Sequence, residues 1–204
     1  MGKSDVVIRA ATRADCMDVA RLADLAGEGI PSYFWGTVAQ PGQSLEYVGA
    51  QRAADEQANF SYRNAQLALV EGQVAGMLLA YRLPDVADPA ELAEVPEFIR
   101  PMIELEQRAP GTFYVNMLAT YPRFRGQGIG TRLMERVDPL AHAAHCTHSS
   151  IEVFEQNTGA VRLYRRLGYR IVDRLPAVAH ECHPYRGDLV LLLRAVQAGD
   201  AGLC

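Results

Sequence analysis

Short apolar runs alternate along this chain with segments whose apolar residues fall at helical spacing, which predicts strands and helices in turn. Residues 6–10 read as a short strand. Thr12, followed three positions later by Asp15, resembles a capping box, and the helix it opens carries Val19, Leu22 and Leu25. Gly27, Gly29, Pro31, Gly36, Pro41 and Gly42 interrupt residues 27–44, which predicts a long loop holding the aromatic cluster Tyr33, Phe34 and Trp35. Another helix is expected over 45–56. Residues 65–70 and 74–82, joined by a turn around Glu71, Gly72 and Gln73, read as an antiparallel hairpin.

Residues 84–110 carry seven acids, Asp85, Asp88, Glu91, Glu94, Glu97, Glu104 and Glu106, against only Arg100 and Arg108, with a short helix expected over 97–107. Beyond them the pattern is more regular: a strand at 113–119, a helix from 128 to 138, a strand at 150–154, and a helix at 158–167 stopped by Gly168. Pro139 has no amide to give the helical ladder and should kink or restart the first of those helices. Strands at 169–174 and 189–194, joined by a loop rich in His and Pro, end the pattern. Hairpin-linked and crossover-linked strands with helices between them imply an α/β fold, a mixed sheet with helices on both faces.

The 204 residues fit one compact domain, 1–204. The longest purely aliphatic run, 189–193, is far short of the roughly 20 residues that cross a bilayer, and the first residues lack a leader pattern, so a cytoplasmic protein with no membrane partner is expected. Cys16, Cys146, Cys182 and Cys204 are scattered, which favours reduced thiols over a disulfide framework. A net charge of -4 without a basic run argues against a nucleic-acid surface.

The strongest local signal is Arg125-Gly126-Gln127-Gly128-Ile129-Gly130, placed between a predicted strand and a predicted helix. Glycines at alternate positions let the main chain approach a bulky anion, and the open amides and positive dipole end of the following helix then face its oxygens. A nucleotide P-loop would need a Lys followed by Ser or Thr after the last glycine, and Thr131-Arg132 stands there instead. A dinucleotide fingerprint wants its third glycine one place later, although Glu152 lies near the position of that motif's ribose-binding acid. A glycine-rich helix entry without any ligand is the plain alternative.

The wider pattern resembles the GCN5-related N-acetyltransferases. The run Met117-Leu118-Ala119-Thr120-Tyr121-Pro122-Arg123-Phe124-Arg125-Gly126-Gln127-Gly128-Ile129-Gly130 is similar to that family's acetyl-CoA-binding motif. Glu155-Gln156-Asn157-Thr158-Gly159-Ala160, then Leu163-Tyr164 and Leu167-Gly168-Tyr169, are similar to its second motif, in the same order and spacing. The close match spans 113–169; residues 27–64 and 84–110 match no known pattern and are expected to shape the acceptor site. The resemblance implies a mostly antiparallel central sheet whose middle strands splay apart, the acyl-CoA N-acyltransferase fold.

It also implies roles. Main-chain amides of Gly126, Gln127, Gly128, Ile129, Gly130 and Thr131 would hold the coenzyme A diphosphate, with the charge of Arg125 beside it. The backbone of Leu118, Ala119 and Thr120 would pair with the pantetheine arm like an added strand, and Asn157 would hydrogen-bond its end. Asn157 equally suits a plain N-cap for the helix starting at Thr158. Tyr164 shares a helical face with Ala160, Leu163 and Leu167, as a core aromatic would. The resemblance makes its hydroxyl the acid that protonates the leaving thiolate.

A lysine-type amine at pH 7 lies about 3.4 units below its pKa and costs about 4.6 kcal/mol to deprotonate, against about 1 kcal/mol for an α-amine. A base is therefore useful. Glu152 occupies the place of the glutamate base in the family's ribosomal-protein N-terminal acetyltransferases; otherwise it is an exposed strand residue or an ion-pair partner. His142, His145 and His148 near one helix end, and His180, Cys182 and His183 in the last loop, lack convincing ligand spacing, so no metal is expected. His180, His183 and Tyr185 could instead border the acceptor. Tyr33, Phe34 and Trp35 read either as an apolar wall for the acceptor or as a plug of the sheet end, and the acidic segment as a cation attractor or a solvated face.

The resulting expectation is transfer of acetyl from acetyl-CoA to a primary amine of a small molecule or peptide by direct attack in a ternary complex. The alternatives are a non-catalytic acyl-CoA-binding module and a dinucleotide oxidoreductase. Homodimers are common in the family, but nothing in the sequence identifies an interface.

Overall fold

A computed structural model describes residues 5–197; Cys204 and residues 1–4, read above for a leader, lie outside that range. Seven strands, β1 (Val6–Ala10), β2 (Ala65–Val70), β3 (Gln73–Arg82), β4 (Phe113–Thr120), β5 (His148–Phe154), β6 (Arg170–Pro176) and β7 (Asp188–Ala195), form one sheet in the order β1-β2-β3-β4-β5-β7-β6. The β4–β5 pair is parallel, whereas β1–β2, β2–β3, β5–β7 and β6–β7 are antiparallel, as the expected mixed sheet requires. Among the described residues no helix is long and apolar enough to cross a membrane. The described chain packs as two compact units, 5–80 with 116–135, and 81–115 with 136–197.

The first unit contains α1 (Cys16–Ala26), α2 (Ile30–Val38), α3 (Leu45–Ala53) and α6 (Ile129–Met134). Thr12 and Asp15 form the anticipated capping box around a single 3-10 turn that leads into α1. Asp15 accepts the Thr12 amide at 2.7 Å and takes the Arg9 guanidinium on both carboxylate oxygens at 2.8 Å. Val19 and Leu22 are fully buried, while Leu25 is only partly so.

Half of the loop expected over 27–44 is the helix α2. Gly29, at φ 97°, turns the chain into it, and Pro31 sits in the first turn, where a missing amide costs nothing. The Ser32 amide donates to Asp24 at 2.9 Å, and the buried Trp35 packs on Phe60 with ring centroids 6.1 Å apart. Burial of one aromatic face thus overrides the local breakers; only Pro41 and Gly42 remain in the connection to α3, which ends three residues before the expected Glu56. The β2–β3 hairpin turns on Glu71 (φ 50°) and Gly72 (φ 77°), both left-handed, the backbone a two-residue turn needs to match strand twist.

The second unit contains α4 (Glu91–Glu94), α5 (Arg100–Gln107), α7 (Val137–Ala143) and α8 (Thr158–Arg166). One turn of helix, α4, leaves no periodicity to read and was not anticipated. The break between α6 and α7 falls just ahead of Pro139, whose ring excludes the helical position of the carbonyl four residues earlier, at Glu135. The core of this unit is β7, with Val190, Leu191 and Leu192 at most 1% exposed, beside Ile151 of β5. Buried hydroxyls pair with one another, Thr112 with Ser150 at 2.6 Å and Ser149 with Tyr169 at 2.8 Å.

Candidate active site

In the first unit the chain leaves β4, makes a 3-10 turn over Pro122–Phe124, and reaches Gly126 and Gly128 at φ 76° and 78°. A Cβ built on either glycine would meet nothing within 4 Å, so the main chain here lies open to its surroundings. Gly128 caps α6, and Arg132 donates to the Gly128 carbonyl at 3.1 Å; the amides of Ile129, Gly130 and Thr131 precede the first turn of the ladder. Arg125 is exposed, with Nε donating to the Thr120 carbonyl at 3.3 Å, which keeps its charge beside the turn. Gln127 is exposed, while Ile129 is 1% exposed and anchors the turn to the core.

Two anchors of this turn were not legible in the sequence. Tyr121 donates its amide to Ala75 and its hydroxyl to Asp18 of α1, both at 2.9 Å. Gly76 of β3 faces the Ala119 carbonyl, Ile129 and Thr120 so closely that no side chain fits between them. The β4–β5 ladder runs from Phe113↔Ser149 to Val115↔Ile151, so Leu118, Ala119 and Thr120 lie past its last pair. Immediately upstream, Asn116 and Met117 line a cleft of about 440 Å³ walled by Phe34, Trp35 and Phe60, with Arg52 and Asp55 also contributing.

In the second unit Glu152 stands on β5 opposite Leu191. Its Oε1 is sealed from solvent with no hydrogen-bond partner among the described residues, and burial, then the charge of Glu106, hold the carboxyl well above the ordinary carboxylate range. Tyr164, on α8, is 6% exposed and meets Tyr169 edge-on at 6.2 Å between centroids. Burial raises its phenol, so it keeps its proton through the neutral range. Tyr114 of β4 is raised in the same way, by burial and then by the charges of Glu152 and Glu106. The Asn157 side chain accepts the Ala160 amide at 3.2 Å, so its capping role is realised. Glu155, two residues before it, lies 3.5 Å from Arg174 at the surface.

The last loop is more interior than its composition suggests. His183 is 2% exposed, stacked on Phe154 at 4.9 Å, with Nε2 donating to the Val178 carbonyl at 3.3 Å; burial holds its pKa below the ordinary histidine value. His180 stacks on Phe98 at 3.9 Å and Tyr185 lies against Phe154. His142 bonds the Gln197 carbonyl and His148 the Thr147 hydroxyl. Among the described residues no three His, Cys, Asp or Glu side chains are grouped to hold a metal.

A chloroplastic GCN5-related N-acetyltransferase 4 of Arabidopsis thaliana is 30% identical over 109 residues, 53% of this chain and 33% of that protein. Thialysine N-epsilon-acetyltransferase of Mus musculus is 36% identical over 55 residues, 27% of this chain and 32% of that protein. The chain thus spans about a third of the length of these curated relatives. In fold it is similar to the structurally analysed polyamine N-acetyltransferase of Drosophila melanogaster, an enzyme that forms N-acetylagmatine, with TM-score 0.65 and 19% identity over 94% of this chain and 100% of that one. The family model for acetyltransferases of the GNAT family matches residues 35–169, more than half of the 204 residues, and the chain belongs to that family.

Proposed function

We propose that this chain is an acetyl-CoA-dependent N-acetyltransferase that acts on a primary amine of a small molecule or peptide. The observation that carries the reading is the open turn at Gly126 and Gly128, left-handed at both glycines and bare where side chains would stand. A bulky diphosphate can approach such a main chain, and the amides of Gly126, Gln127, Gly128, Ile129, Gly130 and Thr131 supply its hydrogen bonds, with Arg125 adding charge. The residues present therefore fit coenzyme A.

When bound, acetyl-CoA supplies an activated acetyl group. Main-chain groups of Leu118, Ala119 and Thr120 hold the pantetheine arm in strand fashion, and an amide there polarises the acetyl carbonyl. The Asn157 side chain adds a polar contact at the end of the arm. Glu152 takes a proton from the acceptor amine, and Tyr164 returns one to the departing sulphur. The environments separate these tasks: the raised Tyr164 phenol is protonated at neutral pH, as an acid must be, whereas Glu152 becomes a base only as pH rises through its own raised value. The cleft walled by Phe34, Trp35 and Phe60 suits the apolar body of the acceptor.

The test combines thermal shift with thiol release. Acetyl-CoA and CoA are expected to raise the melting temperature where NADH does not. Free thiol should then appear with at least one member of a panel of agmatine, polyamines, thialysine, amino acids and short peptides. Absence of any shift with acetyl-CoA would refute the reading, and binding without thiol release across the panel would leave an acyl-CoA-binding module.

A further inference from the structure

We propose that Arg52 of α3 selects acceptors that carry a carboxylate at the end opposite their reacting amine. This rests on the cleft of about 440 Å³ walled by Phe34, Trp35 and Phe60 as the acceptor site of the proposed acetyltransferase. It narrows the acceptor from any primary amine to an amino carboxylate with an apolar body.

The cleft is bounded by unlike groups on two of its sides. Asn116 and Met117, half-buried on β4, form one side, and the next residue along that strand is Leu118, where the segment proposed to pair with pantetheine begins. The reacting amine belongs there. Arg52, in the last turn of α3, and Asp55, just beyond it, contribute the only charged side chains to the lining, and both are exposed. An acceptor with its amine at β4 and its body on the aromatic wall thus presents its far end to these two residues.

The two differ in what they have left to offer. Asp55 accepts the Gln57 amide at 2.9 Å and closes a local turn. Among the described residues no acceptor is bonded to the Arg52 guanidinium, whereas in the same unit Arg9 is held by Asp15 at 2.8 Å, Arg21 by Glu46 at 3.0 Å and Arg63 by Glu56 at 3.1 Å. A helix C-terminus favours a positive charge with or without a ligand, which accounts for an arginine in the last turn of α3. It does not account for one that stays unpaired on the lining of an aromatic cleft while neighbouring arginines hold carboxylates. A guanidinium presents a planar fork of donors that a carboxylate meets on two parallel bonds, and the apolar wall beside it displaces part of the water that would screen the pair.

The test measures kcat/KM by thiol release for matched acceptors, ω-aminohexanoate against hexylamine and leucyl-leucine against leucyl-leucine amide, together with any other active amine against its counterpart with or without a carboxylate. Wild type should favour the carboxylate member of at least one pair by about five- to tenfold, the effect of a partly screened charge-assisted pair. The first pair reports a free amino acid as the source of the carboxylate, the second a peptide C-terminus. Arg52→Gln should bring the ratio close to one through KM, Arg52→Lys should keep part of it, and neither should change the dissociation constant of acetyl-CoA. Added salt should shrink the ratio in wild type and leave it unmoved in Arg52→Gln. A ratio that survives Arg52→Gln, or turnover confined to amines without a carboxylate, overturns the assignment. So does a preference for agmatine or polyamines that disappears in Asp55→Asn, which would give the far end to a cation. Wild-type protein that binds acetyl-CoA and turns over no amine sinks the proposed function itself, which separates the two failures.

Discussion

A Cβ built on Gly76 of β3 would lie 2.6 Å from the carbonyl oxygen of Ala119 on β4, with Ile129 and Thr120 each 3.2 Å away. The bare glycine is what lets the start of α6 settle against the sheet below the glycine turn. In Gly76→Ala a main-chain oxygen has to move, and it belongs to the segment proposed to pair with pantetheine. Stability should fall by about 1–3 kcal/mol, the usual cost of overpacking a close core contact. Calorimetry should also find weaker acetyl-CoA binding. Wild-type affinity in a destabilised protein would mean that the contact serves packing alone.

Tyr164 offers a cleaner separation of binding from chemistry. It is buried on α8 and faces Tyr169, so Tyr164→Phe keeps the ring contact and removes only the hydroxyl. If that hydroxyl is the acid, kcat should drop about 10²–10⁴-fold with little change in coenzyme affinity. Comparing thiol release with the dissociation constant for CoA decides the matter; unchanged turnover removes Tyr164 from the chemistry.

Much of this was legible in the chain because it depends on local constraints. The hairpin at Glu71 and Gly72, the capping box at Thr12 and Asp15, and the turn through Gly126 and Gly128 each need particular residues at fixed spacing, and each is present. α2 was hidden because its glycines and proline are breakers in isolation, and only the burial of Trp35 against α3 and Phe60 makes the helix worthwhile. Glu106 was hidden for a related reason. Seven acids in 84–110 look alike in sequence, and nothing local marks Glu106 as the one whose carboxyl is raised by burial.

The Arg9–Asp15 pair predicts how the first unit responds to acid. Arg9 and the Thr12 amide hold the Asp15 carboxyl well below the ordinary carboxylate range. A carboxyl lowered on folding contributes stability above its unfolded pKa and loses it as pH falls toward the folded value. Unfolding midpoints in denaturant should therefore decline below about pH 4, the unfolded range for Asp, and the decline should be shallower in Asp15→Asn. At neutral pH that variant should lose about 1–2 kcal/mol, the range of a helix cap with a screened ion pair, since the Arg9 side chain is 39% exposed. Glu106 works in the opposite direction: its carboxyl is raised to about 7, so its contribution is present at acid pH and lost as pH climbs through neutrality. Glu106→Gln should flatten that loss.

Selectivity for the acceptor should reside in the cleft of α2, and the residues that wall it do not contribute equally. Trp35 is 6% exposed and its ring lies flat on α3, where a Cβ on Gly49 would stand 2.6–2.8 Å from three ring carbons. Removing Trp35 would loosen the unit and confuse stability with recognition. Phe60 is less buried and reaches the same cleft from outside the helices, so it is the better probe. Truncating it to Ala removes an apolar surface worth about 1.5–3 kcal/mol when fully covered, or roughly 10–150-fold in kcat/KM for an acceptor whose body rests there. The loss should appear in KM for apolar-bodied amines, should be small for short polar ones, and should leave the dissociation constant of acetyl-CoA unchanged, because the glycine turn is built from other residues. A uniform loss across every amine tested would instead assign Phe60 to holding α2 in place and move acceptor recognition away from this cleft.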